Sequence, residues 1–371
     1  MWRGIASNGL TLLIVVLIAA GGFIAWAQNE YRAEGPLEEA MCLRVEPGST
    51  MSGVSEDLAA EGAVSNAVLF RVGADYAGKS EQLKAGSWLV PAHASMDEIV
   101  DIVTRGGQST CGTEIVYRIG VNRTQIEVRE LDPEVNRYVE RAEFLPGAGE
   151  IPPVFDEMRS RADTRYRIAL AEGVTSWQVV EGLKQVDVLA GAVEEVPAEG
   201  SLAPDSYEVR EGDDRVALLD EMAQRQAAIL QEAWQNRAEE LPVETPEEAL
   251  ILASIIEKET GVAEEREVVA SVFVNRLRRG MRLQTDPTVI YGITNGQGVL
   301  GRGLRQSELR GATPYNTYVI DGLPPTPIAN PGRASIEAAL NPAPTDYLFF
   351  VADGTGGHAF AETLAEHSGN V

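Results

Sequence analysis

The residue with the clearest chemical potential in this sequence is Glu257, a carboxylic acid inside an apolar segment. At about 100° per residue along a helix, Glu257 shares a face with Leu250 and Ala253. A charged carboxylate is costly among aliphatic side chains, so Glu257 is either paired or kept protonated for acid chemistry. Glu259 is the competing acid on the opposite face, where we expect a structural carboxylate paired with Lys or Arg.

A second group of candidates follows this segment, in loops rich in hydroxyl, amide and aromatic side chains. Aromatic faces stack on pyranose rings and amides bridge neighbouring hydroxyl groups, so such loops suit a sugar cleft. Ordinary surface loops have a similar composition, and composition alone leaves both interpretations open. The candidates for substrate contact are Gln284, Thr285, Asp286, Tyr315, Asn316 and His358.

Two of these candidates have alternative roles. Asp286 is either a second catalytic carboxylate or the cap of the turn at Pro287, and the position before a proline favours the turn. His358 lies between a pair of glycines and a predicted strand. It either hydrogen-bonds to substrate or to Glu257, or it is a structural histidine with satisfied partners.

The helix that carries Glu257 has clear start and stop signals. Thr245 is a good N-cap, Pro246 suits the first helical position, and Gly261 ends the helix. A second helix is predicted over 264–279, with acidic residues in its first turn and arginines in its last turn. This arrangement complements the helix dipole.

The N-terminus contains an apolar stretch at residues 10–27. As a helix, Gly9–Ala27 would span roughly 28 Å, enough for the core of a bilayer. Arg3 before it and Glu30 after it favour an N-terminus inside the cell. A cleaved signal peptide is the rival interpretation, since Ala25-Trp26-Ala27 resembles a cleavage site. We favour the anchor, and both interpretations export the rest of the chain.

Composition excludes several classes of function. The formal net charge of −25 argues against binding of nucleic acid, which needs a basic surface. The chain has 3 histidines, which argues against a multi-histidine metal site. Cys42 and Cys111 either form a disulfide in an oxidising compartment or remain unpaired.

The length of 371 residues predicts two or three domains. A strand, a glycine turn, a Ser or Thr cap and a helix open a small module, and this layout, typical of LysM-like glycan-binding modules, recurs at 170–180. The module is predicted to continue with a helix that starts near Asn66, a strand at 86–90 and a third helix that opens with a Ser95–Glu98 capping box. The charge-rich segment after the module shows less order and is interpreted as an insertion. The predicted fold is α+β, with the parts 1–30 (cytoplasmic tip and transmembrane anchor), 31–41 (linker), 42–110 (LysM-like module), 111–165 (insertion) and 166–371 (a larger mixed α/β domain with its core at 245–367).

Several segments in the same order resemble the YceG-like endolytic murein transglycosylases. The resemblance is dense from about Asp205 to His367, looser across the small module and absent over 112–164. It implies a single-pass inner-membrane protein whose catalytic domain lies in the periplasm and contains a lysozyme-like catalytic helix. The segments that carry it are 253–260, 273–277, 281–292, 315–318, 322–325 and 350–354, with Gly357-His358.

The resemblance implies that Glu257 is the catalytic glutamate of a lytic transglycosylase. Such an enzyme cleaves the MurNAc–GlcNAc β-1,4 bond of nascent peptidoglycan without water. One carboxyl group protonates the glycosidic oxygen and then deprotonates the MurNAc 6-hydroxyl, which gives a 1,6-anhydroMurNAc end. No cofactor or metal is expected, and the expected partners are glycan strands, the inner membrane and peptidoglycan synthases.

Two other functions remain open at this point. A glycoside hydrolase would use Glu257 together with Asp286 and a water molecule, as paired carboxylates do in ordinary glycosidases. A non-catalytic scaffold that binds the cell wall has no need of a glutamate on an apolar helix face. The chemical form of the product ends separates the two enzymatic hypotheses.

Overall fold

The computed structural model describes residues 2–107, 109–147, 149–161 and 163–371, with side chains from Leu10 onward. The side chain of Arg3, used above to orient the first helix, lies outside the described residues. The chain is mixed α/β and divides into two compact units. One unit consists of Met1–Ile115, Val128–Ala142 and Ile151–Arg165, and the other of Val116–Glu127, Glu143–Glu150 and Tyr166–Val371.

Helix α1 (Trp2–Arg32) contains the N-terminal apolar segment and is long and apolar enough to cross a membrane. The predicted linker at 31–41 begins inside this helix. Beyond the helix, the Gly35 N–H donates to the His93 carbonyl at 3.1 Å, and the His93 N–H donates to the Leu37 carbonyl at 2.8 Å. The segment after α1 is therefore hydrogen-bonded to the small module and is not a free tether.

The small module has the order of strands and helices predicted from the sequence. Strands β1 and β2 are antiparallel, with Val45 opposite Gly86. Ser95 and Glu98 form the predicted capping box at the start of α4. Trp88, only 2% exposed, is the largest fully buried side chain of the module. The elements are β1 (Met41–Val45), α2 (Met51–Ala60), α3 (Ala67–Tyr76), β2 (Gly86–Val90) and α4 (Met96–Thr104).

Residues 111–165 are more ordered than predicted. They contain β3 (Thr113–Ile119), β4 (Thr124–Asp132), β5 (Arg137–Phe144) and α5 (Pro153–Arg159). These strands join β6 (Arg165–Leu170) and β7 (Ser206–Val209) in one sheet with the order β5-β4-β3-β6-β7. The prediction of little order was wrong because the charges that interrupt the apolar pattern form ion pairs, Arg129 with Glu114 and Arg118 with Glu127. Opposite charges on adjacent strands stabilise a sheet.

The two cysteines are joined in the structure. Cys42 in β1 and Cys111, just before β3, form a disulfide, and their Cα atoms are 6.0 Å apart. The bond connects positions separated by 69 residues in the sequence. Of the two alternatives left open by the sequence, the structure has the bonded one.

The second unit contains most of the helices. Its β6 leads through a glycine turn to a Thr175–Gln178 capping box and a helix, as the repeated sequence layout predicts. The remaining strands, β8 (Phe349–Ala352) and β9 (His358–Ala361), pair antiparallel. The helices are α6 (Ser176–Lys184), α7 (Arg215–Gln235), α8 (Pro246–Glu259), α9 (Arg266–Arg278), α10 (Asp286–Thr294), α11 (Gln306–Leu309), α12 (Arg333–Leu340) and α13 (Leu364–Asn370).

Helix α8 lies at the centre of this unit, packed against α7, α9, α10 and α12. Thr245 caps it as predicted, its hydroxyl accepting from the Glu248 N–H at 3.2 Å. The helix is buried on almost every side, and its fully buried residues include Leu252, Ala253, Ile255 and Ile256. Buried apolar residues therefore lie on both of the faces from which Glu257 and Glu259 project. Helical spacing alone cannot choose between Glu257 and Glu259.

Candidate active site

Glu259, the last residue of α8, lies at the centre of a group of polar side chains. The Thr285 hydroxyl donates a hydrogen bond to its carboxylate. Burial raises the pKa of Glu259; the Thr285 hydrogen bond opposes this, the Asp286 charge adds to it, and His358 and Arg276 lower it. Among the described residues, no Lys or Arg forms an ion pair with Glu259, in contrast to the expectation of a structural, paired carboxylate. Glu259 therefore has the environment that favours a proton on a carboxyl group.

Thr285 is held in place by backbone geometry and by a second threonine. Gln284 precedes it with a φ of 50°, a left-handed conformation that is uncommon outside glycine. The Gln284 N–H donates to the Thr317 carbonyl at 3.1 Å, and the Thr285 N–H donates to the Thr317 hydroxyl at 3.0 Å. Thr285 is buried, whereas Gln284 is exposed. Unusual backbone conformations of this kind concentrate at functional sites.

Asp286 begins α10, next to the Glu259 carboxyl group. It is exposed, and the Tyr318 hydroxyl donates to its Oδ1 at 2.7 Å. The favoured interpretation of Asp286 as a turn cap before Pro287 was wrong, because α10 starts here and Thr285 holds the N-cap position. A carboxylate in the first turn of a helix is stabilised by the helix dipole. Asp286 is therefore held in place and open to solvent.

His358 begins β9 and pairs with an acid that the sequence did not single out. Its Nδ1 lies 2.7 Å from Glu265 Oε2, and its backbone N–H donates to Glu265 Oε1 at 3.0 Å. The ring also packs edge-on against Phe350, with the two centroids 5.3 Å apart. His358 thus lies beside Glu259, whose pKa it lowers, and is hydrogen-bonded to Glu265 and not to Glu257.

Tyr315 and Asn316 are placed differently from the candidates around Glu259. Asn316 is fully buried, and its side-chain amide donates to three carbonyl groups within 308–311. Tyr315 packs on Tyr291, with ring centroids 5.0 Å apart, and shares a hydrogen bond with the Thr326 hydroxyl at 2.8 Å. The amide hydrogens of Asn316 hold a loop together, which is at odds with a contact to substrate.

Glu257 lies apart from this group and has partners of its own. Its Oε2 accepts from the Gly332 N–H at 3.0 Å and from the Ser335 hydroxyl at 2.7 Å. These groups belong to the N-terminus of α12, where the helix dipole favours a negative charge. Burial, followed by the Glu257 charge, raises the pKa of nearby Glu172, which the sequence reasoning missed. Of the two states expected for Glu257, its contacts match a paired carboxylate.

Between Glu257 and Glu259, Lys258 faces a third polar group. Its Nζ donates to the Gly173 carbonyl at 3.1 Å, and burial lowers the pKa of Lys258. Burial raises the pKa of Glu199, which accepts from the Ser176 N–H at 2.8 Å and the Tyr291 hydroxyl at 3.2 Å. In the part of the chain that the structure describes, no three acidic, histidine or cysteine side chains are arranged to hold a metal ion.

The fold and this site define a mixed α/β protein whose central buried helix ends in a carboxyl group flanked by hydroxyl, imidazole and carboxylate side chains. The chain belongs to the YceG-like family, whose sequence model matches residues 145–371. That match takes in the whole of α8 and every candidate site residue.

Curated proteins of two bacteria are similar to this chain. An endolytic murein transglycosylase of Bacillus subtilis (strain 168) is 38% identical over 172 residues, which is 46% of this chain and 46% of that protein. An endolytic murein transglycosylase of Streptococcus pneumoniae serotype 2 (strain D39 / NCTC 7466) is 26% identical over 376 residues, 97% of this chain and 63% of that protein. The chain thus spans about half to under two thirds of the length of these relatives.

A solved structure is also similar. It is a crystal structure of a yceG-like protein from Listeria monocytogenes, with a TM-score of 0.47 and 24% sequence identity. The similarity covers 89% of this chain and 98% of that one.

Proposed function

We propose that this chain is a membrane-anchored endolytic lytic transglycosylase that acts on nascent peptidoglycan glycan strands. It cleaves the MurNAc–GlcNAc β-1,4 bond and leaves a 1,6-anhydroMurNAc end. Family membership and the names of the two curated relatives support the substrate class and the reaction. The observation that carries the mechanism is the environment of Glu259, a partly buried carboxyl group whose pKa is raised by burial and which lies beside exposed polar side chains.

Within this proposal, Glu259 takes the catalytic role that the sequence assigned to Glu257. A general acid must hold a proton near neutral pH, and burial of Glu259 favours its neutral form. Glu257 instead accepts two hydrogen bonds at the start of α12, one from the Gly332 N–H and one from the Ser335 hydroxyl. The sequence left two roles open for Glu257, a paired carboxylate and a protonated acid. In this proposal, Glu257 is the paired carboxylate and Glu259 is the acid.

The reaction follows from one carboxyl group acting twice. Protonated Glu259 gives its proton to the glycosidic oxygen as the bond to C1 of MurNAc breaks. The resulting carboxylate then takes the proton of the MurNAc 6-hydroxyl, whose oxygen bonds to C1 and closes the 1,6-anhydro ring. The cycle ends with Glu259 protonated again and needs no water.

The neighbouring residues have distinct parts in this proposal. Thr285 is buried and holds the Glu259 carboxyl group, so it positions the acid. Gln284 and Asp286 are exposed at the same edge and are proposed to bind sugar hydroxyl groups. The exposed carboxylate of Asp286 beside Glu259 also favours a second candidate function. This is a hydrolase in which Asp286 activates a water molecule while Glu259 acts as the acid.

The location and the N-terminal module are part of the same proposal. Helix α1, through its apolar residues 10–27, anchors the chain in the inner membrane, and the rest lies in the periplasm. The order strand, helix, helix, strand in the small module supports a LysM-like, glycan-binding role. Peptidoglycan synthases, which make the nascent strands, are the proposed protein partners.

Mass spectrometry of the products tests the function. Purified full-length protein in detergent is incubated with uncrosslinked glycan strands, and the new chain ends are identified. Ends that carry 1,6-anhydroMurNAc support the transglycosylase. Reducing MurNAc ends would overturn it in favour of the hydrolase, and an absence of any new ends would favour a binding scaffold.

A further inference from the structure

Glu265 makes an unusual pair of contacts with a single residue. One of its carboxylate oxygens accepts from the His358 backbone N–H at 3.0 Å, and the other lies 2.7 Å from Nδ1 of the same histidine. Both side chains are mostly buried, with 16% of His358 and 20% of Glu265 exposed. The imidazole ring is also packed edge-on against Phe350. The ring therefore has little freedom to rotate.

These contacts select one tautomer of the imidazole. A carboxylate can only accept, so the nitrogen that faces Glu265 must carry the hydrogen. In neutral His358 the other nitrogen, Nε2, then has a lone pair and no hydrogen. Among the described residues, Nε2 has no hydrogen-bond partner. The ring lies close enough to Glu259 that its protonated form would lower the pKa of that carboxyl group.

We propose that Glu265 is a positioning residue for the reaction at Glu259, because it fixes His358 with the hydrogen on Nδ1 and so makes Nε2 an acceptor for the bound glycan. This inference rests on the proposed function. The acetamido N–H of an N-acetylated sugar is the matching group, since an amide N–H can donate and cannot accept. A sugar placed with its acetamido group on Nε2 has its position relative to Glu259 defined.

The substitution Glu265→Gln tests the tautomer directly. The His358 backbone N–H can only donate, so the amide oxygen of the new Gln must face it. The amide NH₂ then faces Nδ1, which has to become an acceptor, and the imidazole hydrogen moves to Nε2. A change of one oxygen atom to nitrogen thus converts Nε2 from an acceptor into a donor with little change in shape.

The tautomer is read by two-bond ¹H–¹⁵N correlation spectra of the full-length, histidine-labelled protein at a pH of about 8, where free imidazole is neutral. The His358→Phe variant assigns the His358 signals. The wild type is expected to carry the hydrogen on Nδ1 and Glu265→Gln on Nε2. A wild-type His358 with its hydrogen on Nε2 would overturn the inference, whatever the behaviour of the variants.

The rate of glycan cleavage provides the second measurement. Glu265→Gln is expected to lower kcat/KM at least about tenfold, as losses of orienting partners do. Glu264→Gln, one residue earlier and exposed, is the matched control and is expected to stay near the wild-type rate. His358→Phe, which keeps a ring but offers no acceptor, is expected to lose as much as Glu265→Gln and replaces it where that variant does not fold.

The outcomes separate this inference from the function on which it rests. A tautomer change without a loss of rate, or an equal loss in Glu264→Gln, contradicts the positioning role. A wild type that yields no 1,6-anhydroMurNAc ends contradicts the proposed function, and the tautomer measurement still stands because it does not depend on activity.

Discussion

Replacing Glu259 by Gln is expected to remove almost all formation of 1,6-anhydroMurNAc ends while the protein remains folded. Gln has nearly the shape of Glu, and its side-chain oxygen can still accept from the Thr285 hydroxyl. What it lacks is the transferable proton, and loss of general acid–base catalysis lowers rates by about 10²–10⁴-fold. That range corresponds to about 3–5 kcal/mol of transition-state free energy.

The same substitution has a predictable effect on stability. Burial raises the pKa of Glu259, which means that the folded protein disfavours its charged form. An uncharged Gln avoids this unfavourable burial of charge, so the midpoint of thermal unfolding near neutral pH is expected to be equal or higher. Loss of activity with unchanged or increased stability is the pattern of a catalytic residue, because function and stability often oppose each other at active sites.

Glu257→Gln is the matched comparison, since it makes the same chemical change two residues away in the same helix. Its Oε2 accepts from the Gly332 N–H and the Ser335 hydroxyl at the start of α12. Loss of a charge at a helix N-terminus is expected to destabilise the fold by about 1 kcal/mol. For a unit of this size, that lowers Tm by about 2–4 °C. Activity below this Tm is expected to stay within about threefold of the wild type.

The assay combines mass spectrometry of chain ends with thermal unfolding of the same purified proteins. We expect Glu259→Gln to lose activity with an equal or higher Tm, and Glu257→Gln to keep its activity with a lower Tm. If Glu257→Gln lost the 1,6-anhydroMurNAc ends with an unchanged Tm while Glu259→Gln stayed active, the assignment of the acid to Glu259 would be refuted. The assignment first made from the sequence would then stand.

Three further predictions concern single contacts. Thr285→Val removes a hydrogen bond that lowers the pKa of Glu259, so this acid stays protonated to higher pH. The basic limb of the pH–rate profile is therefore expected to move to higher pH, and a limb at the wild-type pH contradicts the role of this contact. Asn316→Ala leaves buried carbonyl groups without donors and is expected to lower the free energy of unfolding, measured by urea titration, by about 2–4 kcal/mol. A loss of activity at full stability would instead indicate that Asn316 contacts substrate. Replacing Cys42 and Cys111 together by Ala opens a loop of 69 residues and is expected to reduce stability by about 4 kcal/mol, to a value that added reductant does not change further.

Local signals in the sequence predicted many of the elements. The Thr245 cap and the proline after it fix the start of α8, and Ser95 with Glu98 fixes the start of α4. The strand predicted at 86–90 has the same bounds in the structure. These predictions succeeded because the cap, the turn glycine and the alternation of a strand depend on neighbours a few residues away.

Features that depend on distant contacts could not be predicted. Glu265 and His358 are 93 positions apart, and nothing in either local sequence indicates their pairing. The choice between Glu257 and Glu259 depends on which helix or loop packs against each side of α8, and both sides are apolar. The strands at 111–165 were missed because their charges are neutralised across the sheet, by partners that only the fold brings together.

The connection between α1 and the small module has a consequence for reach. Backbone hydrogen bonds of Gly35 and Leu37 to His93 fasten the segment that follows the helix. If α1 crosses a membrane as proposed, this connection holds the module at a fixed distance from the lipid surface. A flexible tether would let it search a volume that widens with tether length. A fixed connection would instead keep the module close to the membrane surface.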